Sequence, residues 1–172
     1  MEEITAADLS KLTGSFKSHM VHLETRDAYG TEVELPHMAK WKRGEPDDFA
    51  WLETWCEKIR GHVRAGQTAR RAKIISEPLS DYQRWTYDII QPIVEAGEDI
   101  RWVPRRLVSE LCIPGNDFYL FDDERAVFLH YAGSGLNTMF TTTTDPAVIE
   151  MCSQAFEKVW ALSSLQRDYH PS

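Results

Sequence analysis

A chain of 172 residues, 42% hydrophobic and 27% charged, has ordinary globular usage and enough length to bury a core, which excludes overall disorder. Its net charge of −8 argues against a general attraction to nucleic acid or anionic membrane. No apolar run approaches the roughly 18 residues that span a bilayer, and no basic-then-apolar leader is visible. Three widely spaced cysteines, Cys56, Cys112 and Cys152, fit buried, reduced thiols, so the expected compartment is the cytoplasm.

In chain order, residues 5–16 predict a short helix with Thr5 as N-cap and Leu9, Leu12 and Phe16 on one side. HMVHLET reads as a strand; a turn near Asp27–Gly30 and a second extended piece, TEVEL, follow, closed by Pro36. A short helix, HMAKWKRG, stops at Gly44. The clearest helix, Asp48–Arg64, turns Leu52, Trp55, Cys56, Ile59 and Val63 to one face and ends at Gly66. TARRAKIIS supplies a strand.

Ser80 and Gln83 have capping-box spacing. The helix behind them carries Tyr82, Trp85, Ile89 and Ile93, is kinked or ended by Pro92, and stops at Gly97. A strand (Ile100–Val103), a short helix (Arg105–Leu111) and two strands (Phe118–Phe121 and Ala126–Tyr131) follow at the spacing of one packed unit. Gly133 and Gly135 mark a turn, and LNTMFTTTT a partly exposed strand. Asp145–Pro146 starts a helix whose inward face runs from Val148 to Leu162, and the tail QRDYHPS is expected to be loose.

Helices between the middle strands imply parallel pairing through crossovers, and the late run of strands implies antiparallel pairs. The expected fold class is α/β with an α+β edge, a mixed central sheet flanked by helices. One domain spans 1–172, with 1–45 as an N-terminal extension packed on a 46–165 core.

No phosphate-cradling or nucleophile-elbow motif occurs, and the six histidines and three cysteines lack metal-ligand spacing, so no catalytic residue, metal or cofactor is assigned. Asp122–Glu124 reads as the polar turn of a hairpin. Arginines at element ends, Arg70, Arg71, Arg84, Arg101 and Arg105, offer bidentate recognition of a carboxylate or phosphate. Arg84, Arg101 and Arg105, with Glu98 and Asp117 beside them, are therefore the candidate ligand site, and internal pairing is the competing reading. Cations concentrate between residues 40 and 75, facing an acidic partner, a phosphate or the acidic remainder of the chain. Within that region Trp41, Arg43 and Trp51 form the candidate partner surface, since aromatics and arginine dominate interface hot spots.

The runs IISEPLSDYQRWTYDIIQPIVEAGEDIRWVPR, PGNDFYLFDDERAVFLHYAGSG and DPAVIEMCSQAFEKVWALS resemble an actinobacterial domain-of-unknown-function family, number 6879. Its members are small proteins encoded near helix-turn-helix regulators. The resemblance implies a partner of, or sensor for, such a transcription regulator, and carries over no activity. The element order from Ala72 onward also resembles half of a phospholipase D-type domain, but the signature H-x-K-x-x-x-x-D is absent: no histidine has lysine two residues on. The first expectation is a non-enzymatic regulatory protein that binds a helix-turn-helix partner or a second copy of itself, with direct DNA binding disfavoured. The alternatives are a sensor for a small anionic metabolite, and a hydrolase using Glu98, Asp99 or Asp117 as base.

Overall fold

The alternating and 3.6-residue patterns become eight strands and six helices in the computed structural model, which describes residues 1–171. In chain order they are β1 (Glu2–Ile4), α1 (Ala6–Ser15), β2 (His19–Glu24), α2 (Leu35–Lys42), α3 (Glu53–Arg64), β3 (Thr68–Ile75), α4 (Asp81–Ile89), α5 (Gln91–Ala96), β4 (Asp99–Pro104), β5 (Asp117–Phe121), β6 (Arg125–Tyr131), β7 (Asn137–Thr143), α6 (Pro146–Ala161) and β8 (Ser164–Leu165). Short 3₁₀ turns occupy Ala50–Leu52 and Arg105–Val108. The strands form one mixed sheet in the order β1-β7-β6-β5-β2-β3-β4-β8. Helical crossovers make β2, β3 and β4 parallel, whereas short turns make β5, β6 and β7 an antiparallel meander laid against β2.

Both faces of the sheet are covered. Helix α6 lays Ile149, Cys152, Phe156 and Val159 over Val21, Leu23, Ala72, Ile74, Phe118 and Leu120. Helices α1, α3 and α5 cover the other face at Met20, Ala69, Ile100, Tyr119 and Phe121. Fully buried side chains of this size contribute about 1.5–3 kcal/mol each relative to exposure.

Several local expectations change. Residues 1–45, read as an extension, supply β2 to the middle of the sheet, between β5 and β3. TEVEL forms no strand: Pro36 sits in the first turn of α2, where its missing N–H is no loss. Ser80 accepts from the Gln83 N–H, but the Gln83 amide donates to the Arg26 carbonyl instead of closing a capping box. Val63 is exposed on α3, and Cys112 is exposed rather than buried. The tail is anchored, because Tyr169 is buried and stacks on Trp102 at 5.6 Å; Ser172 lies outside the described residues. Strands β4 and β5, which a parallel neighbouring arrangement would bring together, are separated by β2 and β3.

The β5–β6 turn also locks the N-terminal corner. Asp122 and Asp123 both take left-handed backbone angles, as a tight hairpin requires. The Asp122 carboxylate accepts from the N–H groups of Lys17, Ser18 and His19 at 2.8–3.1 Å. Partial burial works against its charge, but those donors prevail and hold the carboxyl below its ordinary range. Asp122→Ala is expected to cost about 1–3 kcal/mol in urea denaturation by stranding these amides. Asp122→Asn, which keeps an acceptor and tolerates the backbone, should lose clearly less; equal losses would contradict the anchoring role.

Candidate functional site

The polar residues of the central strands converge on the sheet face under α1, α3 and α4. Period-two alternation points His22 and Glu24 of β2 the same way, and Arg71 and Lys73 of β3 beside them. Arg71 is the centre of the group. Its Nε and Nη2 donate to Glu98 at 2.7 and 3.1 Å, and its Nη1 donates to Glu24 at 3.0 Å. Lys73 donates to the other Glu24 oxygen, and the Trp55 indole N–H donates to Glu98 at 2.7 Å. Two cations and two carboxylates thus form a closed, buried network.

Burial opposes the charge on Glu24, but Lys73 and Arg71 more than offset it and hold its carboxyl at about 2. Burial likewise works against the Arg71 charge, and Glu98 and Glu24 outweigh it, so the guanidinium is held more firmly protonated than usual.

His22 is different. It is only 5% exposed and stacks on Tyr119 at 3.8 Å, yet neither ring nitrogen has a hydrogen-bond partner among the described residues. Its Nδ1 lies 3.6 Å from Glu24, beyond hydrogen-bond length. Burial is the main reason that its ring titrates only at about 3, with Arg71 and Lys73 adding to the effect against Glu24. The ring is therefore neutral across the physiological range.

His22 lines a cavity of about 290 Å³. Tyr29, Tyr82, Tyr119, Tyr131 and Phe140 supply most of its wall, with Glu24, Glu34, Arg71 and Asn137 as polar elements. The Asn137 Nδ2 is a second buried group without a partner. Glu34 accepts from Thr31 and from the Tyr82 hydroxyl at 2.9 Å. Behind Tyr29, Asp117 accepts its hydroxyl at 2.5 Å and the N–H and hydroxyl of Thr25 at 2.8 and 2.6 Å. Burial raises both carboxyls above their ordinary values despite these donors. The four tyrosine hydroxyls are pushed upward too, first by burial and then by nearby carboxylates. A more open groove of about 440 Å³, bordered by Trp51 and Trp55, shares Thr31, Glu34, Arg71 and Tyr119 with the cavity. Above, the Gly30 N–H bonds the Gly135 carbonyl at 2.9 Å, joining the 25–34 segment to the β6–β7 turn. A Cβ on Gly135 would meet Gly30 N at 3.2 Å, so this approach needs glycine.

The residues expected from the sequence to hold a ligand do not meet in one place. Arg84 is exposed on α4. Arg101 pairs with Asp99 at 3.1 Å and lies 4.0 Å over the Trp160 ring, on the α6 side of the sheet. Arg105 donates to the Thr25 carbonyl and Ser76 at the far strand ends. Glu98 belongs to the Arg71 network, and Asp117 lies behind Tyr29. The partner surface is also dispersed. Trp41 donates to Asp88 at 2.8 Å and packs on the Tyr82–Trp85–Ile89 cluster; Trp51 is stacked on His37 and Trp85; Arg43 pairs with Glu45. His22, Glu24, Tyr29, Glu34 and Lys73 were missed, and Arg71, expected at a strand end among the ligand-holding arginines, is instead the centre of a buried network. The available signal was His22-x-Glu24 and Arg71-x-Lys73, charged alternates inside strands whose neighbours are apolar. Among the described residues, no three His, Cys, Asp or Glu side chains are grouped to hold a metal ion, and no helix is long and apolar enough to cross a membrane.

A family model described as a domain of unknown function (DUF6879) matches residues 7–171. Among solved structures, Nuc from Salmonella typhimurium, a phospholipase D family member, is similar with a TM-score of 0.57 and 8% identity, over 94% of this chain and 90% of that one. That likeness is one of fold. TrmBL2, an archaeal chromatin protein, gives a TM-score of 0.49 and 11% identity over 92% of this chain; the chain spans about half of TrmBL2, 49% of its length. No curated protein matches the sequence.

Proposed function

The chain belongs to the DUF6879 family, and from that premise we propose that it is a non-enzymatic regulatory module that binds a small molecule in the His22 cavity and reports occupancy to a protein partner. One observation carries the reading: an unpartnered, 95%-buried histidine facing a cavity of about 290 Å³. Leaving a buried polar group unsatisfied costs about 1–3 kcal/mol, which a ligand able to bond it recovers. The cavity is close to the lower size typical of small-molecule sites and combines ring walls with a few directed polar groups.

Acid–base chemistry is poorly served. A neutral ring at about 3 is no proton donor at neutral pH, and Glu24 is tied to two cations. The carboxylates considered for a hydrolase are also engaged: Glu98 with Arg71 and Trp55, Asp99 with Arg101, Asp117 with Thr25 and Tyr29. The missing H-x-K-x-x-x-x-D signature supports the same conclusion. The partner we carry forward is a helix-turn-helix transcription regulator. Val33 and Leu35 are exposed on and beside the segment that closes the cavity, and Leu136 on the turn bonded to it, which makes this rim a more suitable contact than Trp41 and Arg43.

Native mass spectrometry of protein purified from its own host tests the reading. Wild type is expected to carry a non-covalent small molecule that Leu129→Phe, which fills the cavity from β6, no longer retains. Wild-type protein of bare polypeptide mass under non-denaturing conditions, or a ligand retained equally by a folded Leu129→Phe, would count against it.

A further inference from the structure

The charges around the cavity are not balanced by one another in the same way. Arg71 and Lys73 are matched by Glu24 and Glu98 in the closed network. Glu34, which lines the cavity, has no cationic partner among the described residues and is held by the hydroxyls of Thr31 and Tyr82 alone. Asp117, one tyrosine deeper, is held only by Thr25 and Tyr29. The remaining cation nearby, Arg26, lies 5.1 Å over the Tyr131 ring and is not part of the lining.

Around Glu34 the rings are set edge to face: Tyr29 meets Tyr82 at 5.4 Å and 61°, and Tyr131 at 5.2 Å and 63°. Ring faces carry negative charge density and attract a desolvated ammonium, as a carboxylate does more strongly. The neutral His22 ring offers one acceptor nitrogen to an N–H, and the Asn137 Nδ2 asks for an acceptor on the ligand.

We infer that the cavity takes a small organic cation, an alkyl- or arylalkylammonium bearing a hydroxyl or carbonyl group, with its ammonium among Tyr29, Tyr82 and Tyr131 against the Glu34 carboxylate. The inference rests on the proposed ligand-binding role and names its ligand class. It reverses the anionic ligand expected from the arginines, because the one arginine in the lining, Arg71, is already bonded by two carboxylates.

The test uses probes matched in shape and differing in charge: tyramine, the neutral tyrosol and the anionic hydroxyphenylacetate, then choline against its carbon isostere dimethylbutanol. Thermal shift and isothermal titration are the readouts. The cation of at least one set is expected to bind wild type about tenfold or more tighter than its neutral counterpart, with hydroxyphenylacetate weaker still. Glu34→Gln, nearly the same shape, is expected to weaken amine binding about 10- to 100-fold and to leave the neutral probe unchanged. Preference for the neutral or anionic member, a cation affinity insensitive to Glu34→Gln, or no binding by either tyramine or choline overturns the cation inference. The native mass measurement decides the ligand-binding role separately, since a retained neutral or anionic molecule would sink this inference and leave that role standing.

Discussion

Arg71→Met is expected to lower folding stability by about 3–5 kcal/mol in urea denaturation, the usual cost of removing one partner from a buried ion pair. The Glu98 side chain is 0% exposed and would keep only the Trp55 indole as donor, while Glu24, 8% exposed, would keep Lys73. Methionine fills much of the lost volume, so the penalty reports stranded charge rather than a hole. The double variant Arg71→Met/Glu98→Gln is expected to regain most of the loss, because a neutral amide removes the uncompensated charge. A single-variant cost below about 1 kcal/mol, the range of exposed pairs, would mean that water already reaches the network and that it is not closed.

Acidification is expected to remove several kcal/mol of stability between pH 6.5 and 3, beginning well above the range in which carboxylates alone titrate. Two depressed groups set the sign. The His22 ring titrates at about 3 in the fold against an ordinary 6.5, and the Glu24 carboxyl at about 2 against 4.5. In both windows the unfolded chain binds more protons, so stability is present above the unfolded value and lost as pH falls toward the folded one. The full shifts correspond to about 5 kcal/mol for His22 and about 3 kcal/mol for Glu24 as upper bounds.

Glu34 and Asp117 act oppositely. Their raised values favour the fold at low pH and withdraw that contribution as pH rises through the folded values. They offset part of the acid loss, in wild type and in a His22 variant alike. Depressed carboxylates elsewhere, Asp122 and Asp47 among them, add to the acid loss only below their ordinary range. From pH 6.5 to 4.5 the difference between the two proteins is therefore diagnostic of His22. In His22→Phe, which keeps a ring on Tyr119, the decline of about 1.4 kcal/mol per pH unit expected from one histidine should vanish there. Urea midpoints measured at half-unit steps distinguish the two proteins; parallel curves would show that the His22 ring is not held neutral by the fold.

Local chemistry made much of the secondary structure legible. Thr5 caps α1 and its partner Asp8 closes the capping box; Ser80 and Asp145 cap α4 and α6; Gly97 ends α5 in a left-handed conformation. These signals operate within a few residues and survive translation into structure. The parallel middle and antiparallel end of the sheet followed from the lengths of the connections. The short edge strands β1 and β8 escaped because three- and two-residue strands have no period to read. TEVEL misled for the opposite reason: its alternation is real, but Pro36 suits a helix start and α2 forms on it.

The site was far less visible. Arginines at strand ends look like ligand hands in a sequence, but Arg101 is satisfied locally by Asp99 and Arg105 by the distant Thr25 carbonyl. The arginine that matters for the cavity, Arg71, lies in mid-strand within a basic run in which Arg70 faces α6 and only Lys73 shares its side. Its bonds reach 27 residues forward to Glu98 and 47 back to Glu24, and no local pattern encodes such pairings.

By itself, then, the sequence determined the helices, most strands, their parallel or antiparallel sense and family membership, since caps, turns and periodicity are short-range properties. Only the tertiary structure decided which charges cancel and which remain facing a cavity. Burial changes the sign and cost of every polar group it encloses, and burial is set by the neighbours that folding brings: Tyr119 against His22, two carboxylates around Arg71, and four tyrosines around a glutamate with no cation of its own.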